Sequence, residues 1–234
     1  MTRTNWAAIT AVVLALLFAG AATVASAGRD DAPRAAATPT ADSAEAGFAR
    51  DMAVHHQQAV EMSFLVRDST DDEEVRRLAY DIANTQANQR GMLLGWLDMW
   101  KLPKVSTGQE PMAWMAEDGG HAGTGGTQGM EGMEGMEGMD HGAHEVRDGS
   151  LMPGMATKTE LDTLRAAKGK KAEILYLQLM TDHHKGGVTM ARGCAELCEV
   201  DTEQALAEGM VTAQQSELNL MADLLKARGA KPRA

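Results

Sequence analysis

Basic charge is scarce in this chain: 22 Lys and Arg stand against 33 Asp and Glu, a formal charge of −11 over 234 residues. That balance argues against a nucleic-acid partner and suits cations. Long apolar runs are scarcer still. One run, Trp6 to Val24, follows Arg3 and precedes Ala25-Ser26-Ala27. A positive start, an apolar centre and an A-x-A end read as a secretory signal peptide over residues 1–27, cleaved after Ala27. An uncleaved N-terminal membrane anchor is the alternative, since the run approaches the ~20 residues that span a bilayer. No later run could cross a membrane, so the cleaved chain is expected to be secreted or extracytoplasmic. Only two cysteines occur, Cys194 and Cys198. Neither follows the apolar run for lipid attachment, and no basic cluster surrounds them, which removes nucleophilic catalysis. No catalytic constellation is readable elsewhere.

What the chain does have is a repeat. Glu45, Phe48, Met52, His55-His56, Val60 and Met62 recur as Glu173, Tyr176, Met180, His183-His184, Val188 and Met190, each pair 128 positions apart. The register continues: Gln86 falls on Gln214, Gln89 on Glu217, Leu93 on Met221 and Trp96 on Leu224. On a helical wheel at ~100° per residue, His55, His56 and Met62 lie at about −60°, +40° and −80° from Met52. Two imidazoles and two thioethers therefore share one helix face, twice. Methionine at helical spacing ordinarily fills core gaps. Four buried imidazoles, however, are costly unless each finds a partner. The pattern predicts Met52, His55, His56, Met62, Met180, His183, His184 and Met190 as metal ligands, with a hydrogen-bonded polar core as the alternative.

In chain order, residues 28–41 are rich in Ala, Pro, Thr and charge and read as a flexible spacer. A first helical hairpin is expected over 42–103. Its helices are Asp42 to Arg67 and a second running to Trp100 or Lys101, joined by the turn and N-cap of Asp68 to Asp72 and stopped by Pro103. Residues 104–158 are expected to form a long disordered loop. Gly-Met-Glu recurs there with period three, which suits neither helix nor strand, and the segment holds eight of the seventeen methionines. Thioethers select Cu(I) or Ag(I) and need no deprotonation. Met130, Met133, Met136, Met139, Met152 and Met155 are therefore candidate auxiliary ligands. With His141, His144 and the interspersed glutamates they could also hold Cu(II). The alternative is low-complexity drift in a linker. A second hairpin is expected over 159–230: a short helix from Thr159, a break near Gly169, a long helix from Lys170 to Glu199, and a last one to Ala227. Both hairpins should form one domain without a sheet.

Phe48-x3-Met52-x2-His55-His56-x2-Ala59-x2-Met62 and its second copy resemble the signature of the bacterial family called domain of unknown function 305. Leu151-Met152-Pro153-Gly154-Met155 resembles the family's Met-Gly-rich lead into its second half. The resemblance covers Glu45 to Leu102 and Leu151 to Arg228. It implies an exported, all-α, ferritin-like four-helix bundle built from two duplicated hairpins, with copper binding and copper tolerance as the function linked to some members. Three departures stand out. Ala172 replaces an aromatic, Gly187 replaces an alanine, and Asp182 with Lys185 makes the second motif more polar, so the second site is expected to be wetter or weaker.

Ferritin-like folds invite a di-iron reading, and the sequence resists it. No histidine has a glutamate three residues before it; Met52 and Met180 hold that place for His55 and His183. Glu45 and Glu173 precede the motif by ten residues, about 15 Å along a helix, and are expected to cap or bond another helix. Gln86, Gln89, Gln214 and Glu217 are candidate partners for the imidazoles. Cys194 and Cys198, at i,i+4, fit a disulfide at a frayed helix end, a thiolate copper site with Met190, or two buried small residues.

Three functions compete on these grounds. The first is an exported protein that sequesters, buffers or hands on Cu(I), with Cu(II) as a second cargo and a copper-delivery protein as partner. The second is a metalloenzyme such as a cuprous oxidase. The third is a structural or small-ligand-binding bundle whose His pairs hold no metal. Long helices with exposed seams also allow a homodimer.

Overall fold

The computed structural model describes residues 38–116 and 148–233. The signal peptide, most of the spacer, Met130, Met133, Met136, Met139, His141 and His144 lie outside them. Helix α1 spans Ala44–Arg67, and the Ser43 side chain caps it by accepting from the Ala46 N–H. Helix α2 spans Glu73–Trp100, with Asp72 accepting from Val75 N–H and Glu73 and Glu74 placing negative charge in the first turn. It ends on Lys101 in the left-handed region (φ 58°), two residues before Pro103. Helix α3, Lys158–Ala166, opens on a reciprocal capping box between Thr157 and Glu160. Gly169 takes φ 54° and starts α4, Lys170–Leu197; α5 follows over Asp201–Ala227.

The described residues form an all-helical four-helix bundle of two hairpins. Helix α1 packs on α2, α4 packs on α5, and α1 and α4 pack on each other as the inner pair. The duplicated glutamates lock this pair antiparallel. Glu45, at the start of α1, accepts from the Glu199 N–H beyond the end of α4 (2.6 Å). Glu173, at the start of α4, accepts from the Thr70 hydroxyl in the α1–α2 turn (2.6 Å) and from Arg228 Nε (2.7 Å). Each copy thus bonds the turn of the other hairpin, and the contacts obey the two-fold relation of the sequence.

Two apolar clusters fill the bundle, one at each pole. The Tyr pole contains Tyr176, Leu177, Met62, Met180, Ile82 and Met221, with the Tyr176 hydroxyl bonded to Ser63 Oγ (3.1 Å). The Cys pole contains Phe48, Met52, Leu93, Met152, Met190, Cys194, Cys198 and Met210. The poles differ in charge. At the Tyr pole Glu173 is answered by Arg228, which also bridges Asp72 (2.8 Å). At the Cys pole Glu45 faces Glu203, which is fully buried with neither carboxyl oxygen partnered among the described residues.

Of the crossover between the hairpins, the described parts are 101–116 and 148–157, and both dock on the bundle. Its first part docks through Trp114, which packs edge-on against Phe48 (5.7 Å between centroids) and donates from Nε1 to Asp51 Oδ2 (2.9 Å). Gly47 makes room for the indole; a Cβ there would lie 2.4 Å from it. Its last part docks through Ala156, whose N–H and carbonyl both bond the buried Gln58 amide (2.7 and 2.9 Å). The expected disordered loop over 104–158 was therefore drawn too wide. A 3-10 turn at Ala113–Met115 lies on one side of it, and Met152 is 1% exposed on the other. Gly154 (φ 79°) and Gly186 allow the backbones to touch: a Cβ on Gly186 would sit 2.0 Å from the Pro153 carbonyl oxygen.

That contact gives a first prediction. Gly186→Ala should destabilise the protein by about 1–3 kcal/mol through overpacking. Gly209→Ala, on α5 with open space around it, should be neutral or stabilising by up to ~1 kcal/mol. Urea midpoints check both, and equal effects would contradict the docked crossover.

Candidate metal centre

The two clusters are separated by the histidines. Projecting from the middle of α1 and α4, His55, His56, His183 and His184 are all 0% exposed. The His55 and His183 rings meet across the two-fold axis with centroids 3.7 Å apart and planes tilted by 32°. The His183 and His184 centroids are 6.3 Å apart.

Hydrogen bonds set the tautomers, because an oxygen facing a ring nitrogen can only accept. His183 Nε2–H donates to the His55 carbonyl (3.0 Å). His56 Nε2–H donates to Gln89 Oε1 (2.9 Å), and His184 Nε2–H donates to Glu217 Oε2 (2.7 Å). In the His56 and His183 rings, held neutral by burial, Nδ1 keeps its lone pair, and no Nδ1 of the four has a hydrogen-bond partner among the described residues. His55 makes no hydrogen bond of ordinary geometry at either nitrogen, although its ring faces the Pro153 backbone. Gln86 lacks a partner at both amide atoms and Gln214 at its Oε1, although both side chains are buried. Imidazoles fixed through one nitrogen with the other free and desolvated are prepared ligands.

Charge points the same way. Burial pushes His55 down to about 3, opposed by the Pro153 backbone and reinforced by His184. Burial, then the neighbouring His55, pushes His56 down to about 3. Burial and His55 hold His183 well below its ordinary value. These rings are neutral at physiological pH, so protons do not compete for Nδ1.

The thioethers divide. Met52 and Met190, from opposite copies, lie in the Cys-pole cluster with Met152, and Met155 packs on its edge. Met62 and Met180 lie in the Tyr-pole cluster. The single face of two imidazoles and two thioethers is therefore not one site: within each copy the first and second methionine, ten residues apart, point to opposite poles. The second copy is not wetter than the first, since His183 and His184 are as buried as His55 and His56. Gly187 explains its own departure, because a Cβ there would lie 2.5 Å from Gln214 Oε1. Among the described residues no three His, Cys, Asp or Glu side chains are spaced to share one ion. An ion held at this waist would take at most two imidazoles and complete its shell with thioethers, a low-coordinate soft set that fits Cu(I) or Ag(I).

Several residues escaped the sequence reading. Met210 completes the Cys-pole thioethers, but on the wheel it is an ordinary core residue. Glu203 reads as first-turn helix charge, yet burial and then Glu45 push its carboxyl up to about 9. Asp51, which accepts from both Met112 N–H and Trp114 Nε1–H, looks like a surface carboxylate beside the motif.

These groups predict an asymmetric pH profile for the metal-free protein. His55 and His56 are depressed in the fold, so the unfolded chain binds their protons first. Their contribution is intact above about pH 6.5 and falls by about 1.4 kcal/mol per unit per group toward pH 3. Glu203 has the opposite sign: its contribution is full below about 4.5 and is lost as pH rises toward 9. Glu203→Gln should flatten the alkaline decline in melting temperature and leave the acid limb in place. An unchanged alkaline limb would contradict the burial of Glu203 as an acid.

A family model described as Domain of unknown function (DUF305) matches residues 45–225. A DUF305 protein from Streptomyces coelicolor is 56% identical, with 83% of this chain and 99% of that chain covered and a TM-score of 0.67. A DUF305 fragment from Deinococcus radiodurans is 23% identical over 79% of this chain and 96% of that one (TM-score 0.56). CopM in the Cu(I)-bound form is 18% identical over 77% and 94% (TM-score 0.52). The last two likenesses are of fold. No curated protein matches the chain. None of the described helices is long and apolar enough to cross a membrane.

Proposed function

We propose that this chain, which belongs to the DUF305 family, is an exported copper-binding protein that takes up Cu(I) at its histidine waist and buffers it or hands it on. One observation carries the reading: four fully buried imidazoles whose Nδ1 lone pairs have no partner among the described residues. A purely structural core would leave those atoms desolvated for nothing, at a cost of about 1–3 kcal/mol each. Cu(I) relieves that cost without displacing protons at His55, His56 and His183, whose rings burial keeps neutral. Met52, Met152 and Met190 lie in the Cys-pole cluster and Met62 and Met180 in the Tyr-pole cluster, the thioethers on either side from which such an ion would complete its shell. Structures of CopM with Cu(I), Cu(II) and Ag bound support copper as the cargo through a shared fold.

The two ends of the waist differ. His56 is held by an amide and His184 by a carboxylate. A carboxylate raises the ring's basicity and would favour the harder Cu(II) at that end. The Met-rich stretch with Met130, Met133, Met136, Met139, His141 and His144 is an auxiliary collector, and the N-terminal signal places the work outside the cytoplasm. A delivery protein, or a second copy of the chain, would receive the metal.

Anaerobic Cu(I) titration against a competing chelator tests this. His55→Ala/His183→Ala should weaken the tight site by on the order of 100-fold or more, and Glu217→Gln by about 10-fold. Deleting residues 121–144 should remove weaker equivalents only. Retention of tight binding by a helical His55→Ala/His56→Ala/His183→Ala/His184→Ala variant would overturn the proposal. Oxygen uptake on Cu(I) addition, lost with the same histidines, would replace a carrier by an oxidase.

A further inference from the structure

Cys194 and Cys198 are joined in a disulfide that the copper waist does not use. As a staple it is poorly placed. Its cysteines are four residues apart at the end of α4, where the Cys198 N–H already donates to the Cys194 carbonyl (2.9 Å). A disulfide restrains the unfolded chain less the shorter the loop it closes. The first copy folds with Val66 and Thr70 in the equivalent places. The same geometry would keep the sulfurs together after reduction, since the backbone bond holds the Cα atoms 4.9 Å apart without help from the S–S bond.

The surroundings are rich in soft donors. Both cysteines belong to the Cys-pole cluster with Met52, Met152, Met190 and Met210, each of these methionines at most 1% exposed. Met190 lies one turn before Cys194 on the same face of α4. Thiolate and thioether are the ligand types that select Cu(I). The Tyr-pole cluster has buried methionines and no thiol, so the two poles of a duplicated bundle are chemically unequal in this respect.

We propose that the disulfide masks a second Cu(I) site, formed by Cys194 and Cys198 with the thioethers of Met190 and Met210, which exists only when the pair is reduced. An external dithiol breaks the S–S bond. The protein gains two electrons and two protons to give two thiols, and the reductant becomes its own disulfide. Binding of one Cu(I) then displaces the thiol protons to solvent and leaves a dithiolate complex. Cys198 is the sulfur a reductant meets first. It caps the end of α4 at 4% exposure, where the chain turns through Glu199 and Val200, whereas Cys194 is at 0%. The site shares no imidazole with the waist.

The test compares the oxidised full-length protein with protein reduced by dithiothreitol and desalted without oxygen. Cu(I) is supplied from its bicinchoninate complex, with free thiols counted before loading. Reduction should expose two thiols, add one bound Cu(I) and produce a thiolate-to-Cu(I) charge-transfer band in the ultraviolet. Cys194→Ser/Cys198→Ser should show neither gain under either condition, and Met210→Leu should weaken the added site about tenfold while keeping the band. Equal Cu(I) uptake in the two redox states, a gain that survives in the double serine variant, or a disulfide that yields no thiols would each overturn the proposal. Failure of the histidine waist reads out separately, as an absence of tight binding in the oxidised protein.

Discussion

The contact on which the molecule depends is the meeting of His55 and His183 across the two-fold axis. Their rings lie 3.7 Å apart in a space without water access, and their neighbours His56 and His184 are buried beside them. Charged imidazoles could not be packed this way, and burial holds His55, His56 and His183 neutral. Neutrality leaves lone pairs, and the Nε2 bonds to Gln89, Glu217 and the His55 carbonyl decide which lone pair remains free. The cost of holding such groups dry falls on the two apolar clusters and on the glutamate latches at the poles. Stability and the proposed metal site are thus opposed locally and reconciled only over the whole bundle.

Duplication explains the frame, and divergence explains the chemistry. The latches of Glu45 and Glu173, the inner helices and the imidazole partners 33 residues downstream all obey the two-fold relation. What breaks it is functional in character. An amide on one side faces a carboxylate on the other; Arg228 neutralises Glu173, while Glu45 is left beside a second acid. Gly187 lacks a methyl group where Gln214 Oε1 would lie 2.5 Å from it. The described ends of the Met-bearing crossover are seated on the bundle, one through Gly154 and Gly186 and the other through Trp114.

Much of this was legible in the sequence, for physical reasons that can be named. The period of 128 positions marks two equivalent hairpins, and the Asp68 to Asp72 turn and Pro103 mark where helices begin and stop. The His pairs announce a buried polar layer because no solvated face needs them duplicated. A helical wheel, however, reports angle and not height, so it merged Met52 with Met62 although they belong to opposite poles. The crossover reads as a disordered, methionine-rich loop over the whole of 104–158. Its docked ends depend on one indole, one glutamine and close glycine contacts, none of which carries periodicity. Glu203 was invisible because a first-turn glutamate is ordinarily a solvated, dipole-favoured residue.

Metal uptake at the waist, as proposed, needs Nδ1 atoms of the buried histidines that are unpartnered and open to a soft metal. Nitrogen-15 NMR of the imidazoles, recorded on the full chain without metal and after addition of Ag(I) as a diamagnetic stand-in for Cu(I), tests it most directly. The account predicts Nε2-protonated rings for His56, His183 and His184 in the metal-free protein. It further predicts that Ag(I) shifts the unprotonated Nδ1 resonances of the waist and leaves Nε2 protonated. Resonances of these rings that ignore Ag(I) while the metal is taken up elsewhere, or Nδ1-protonated tautomers before it is added, would contradict it.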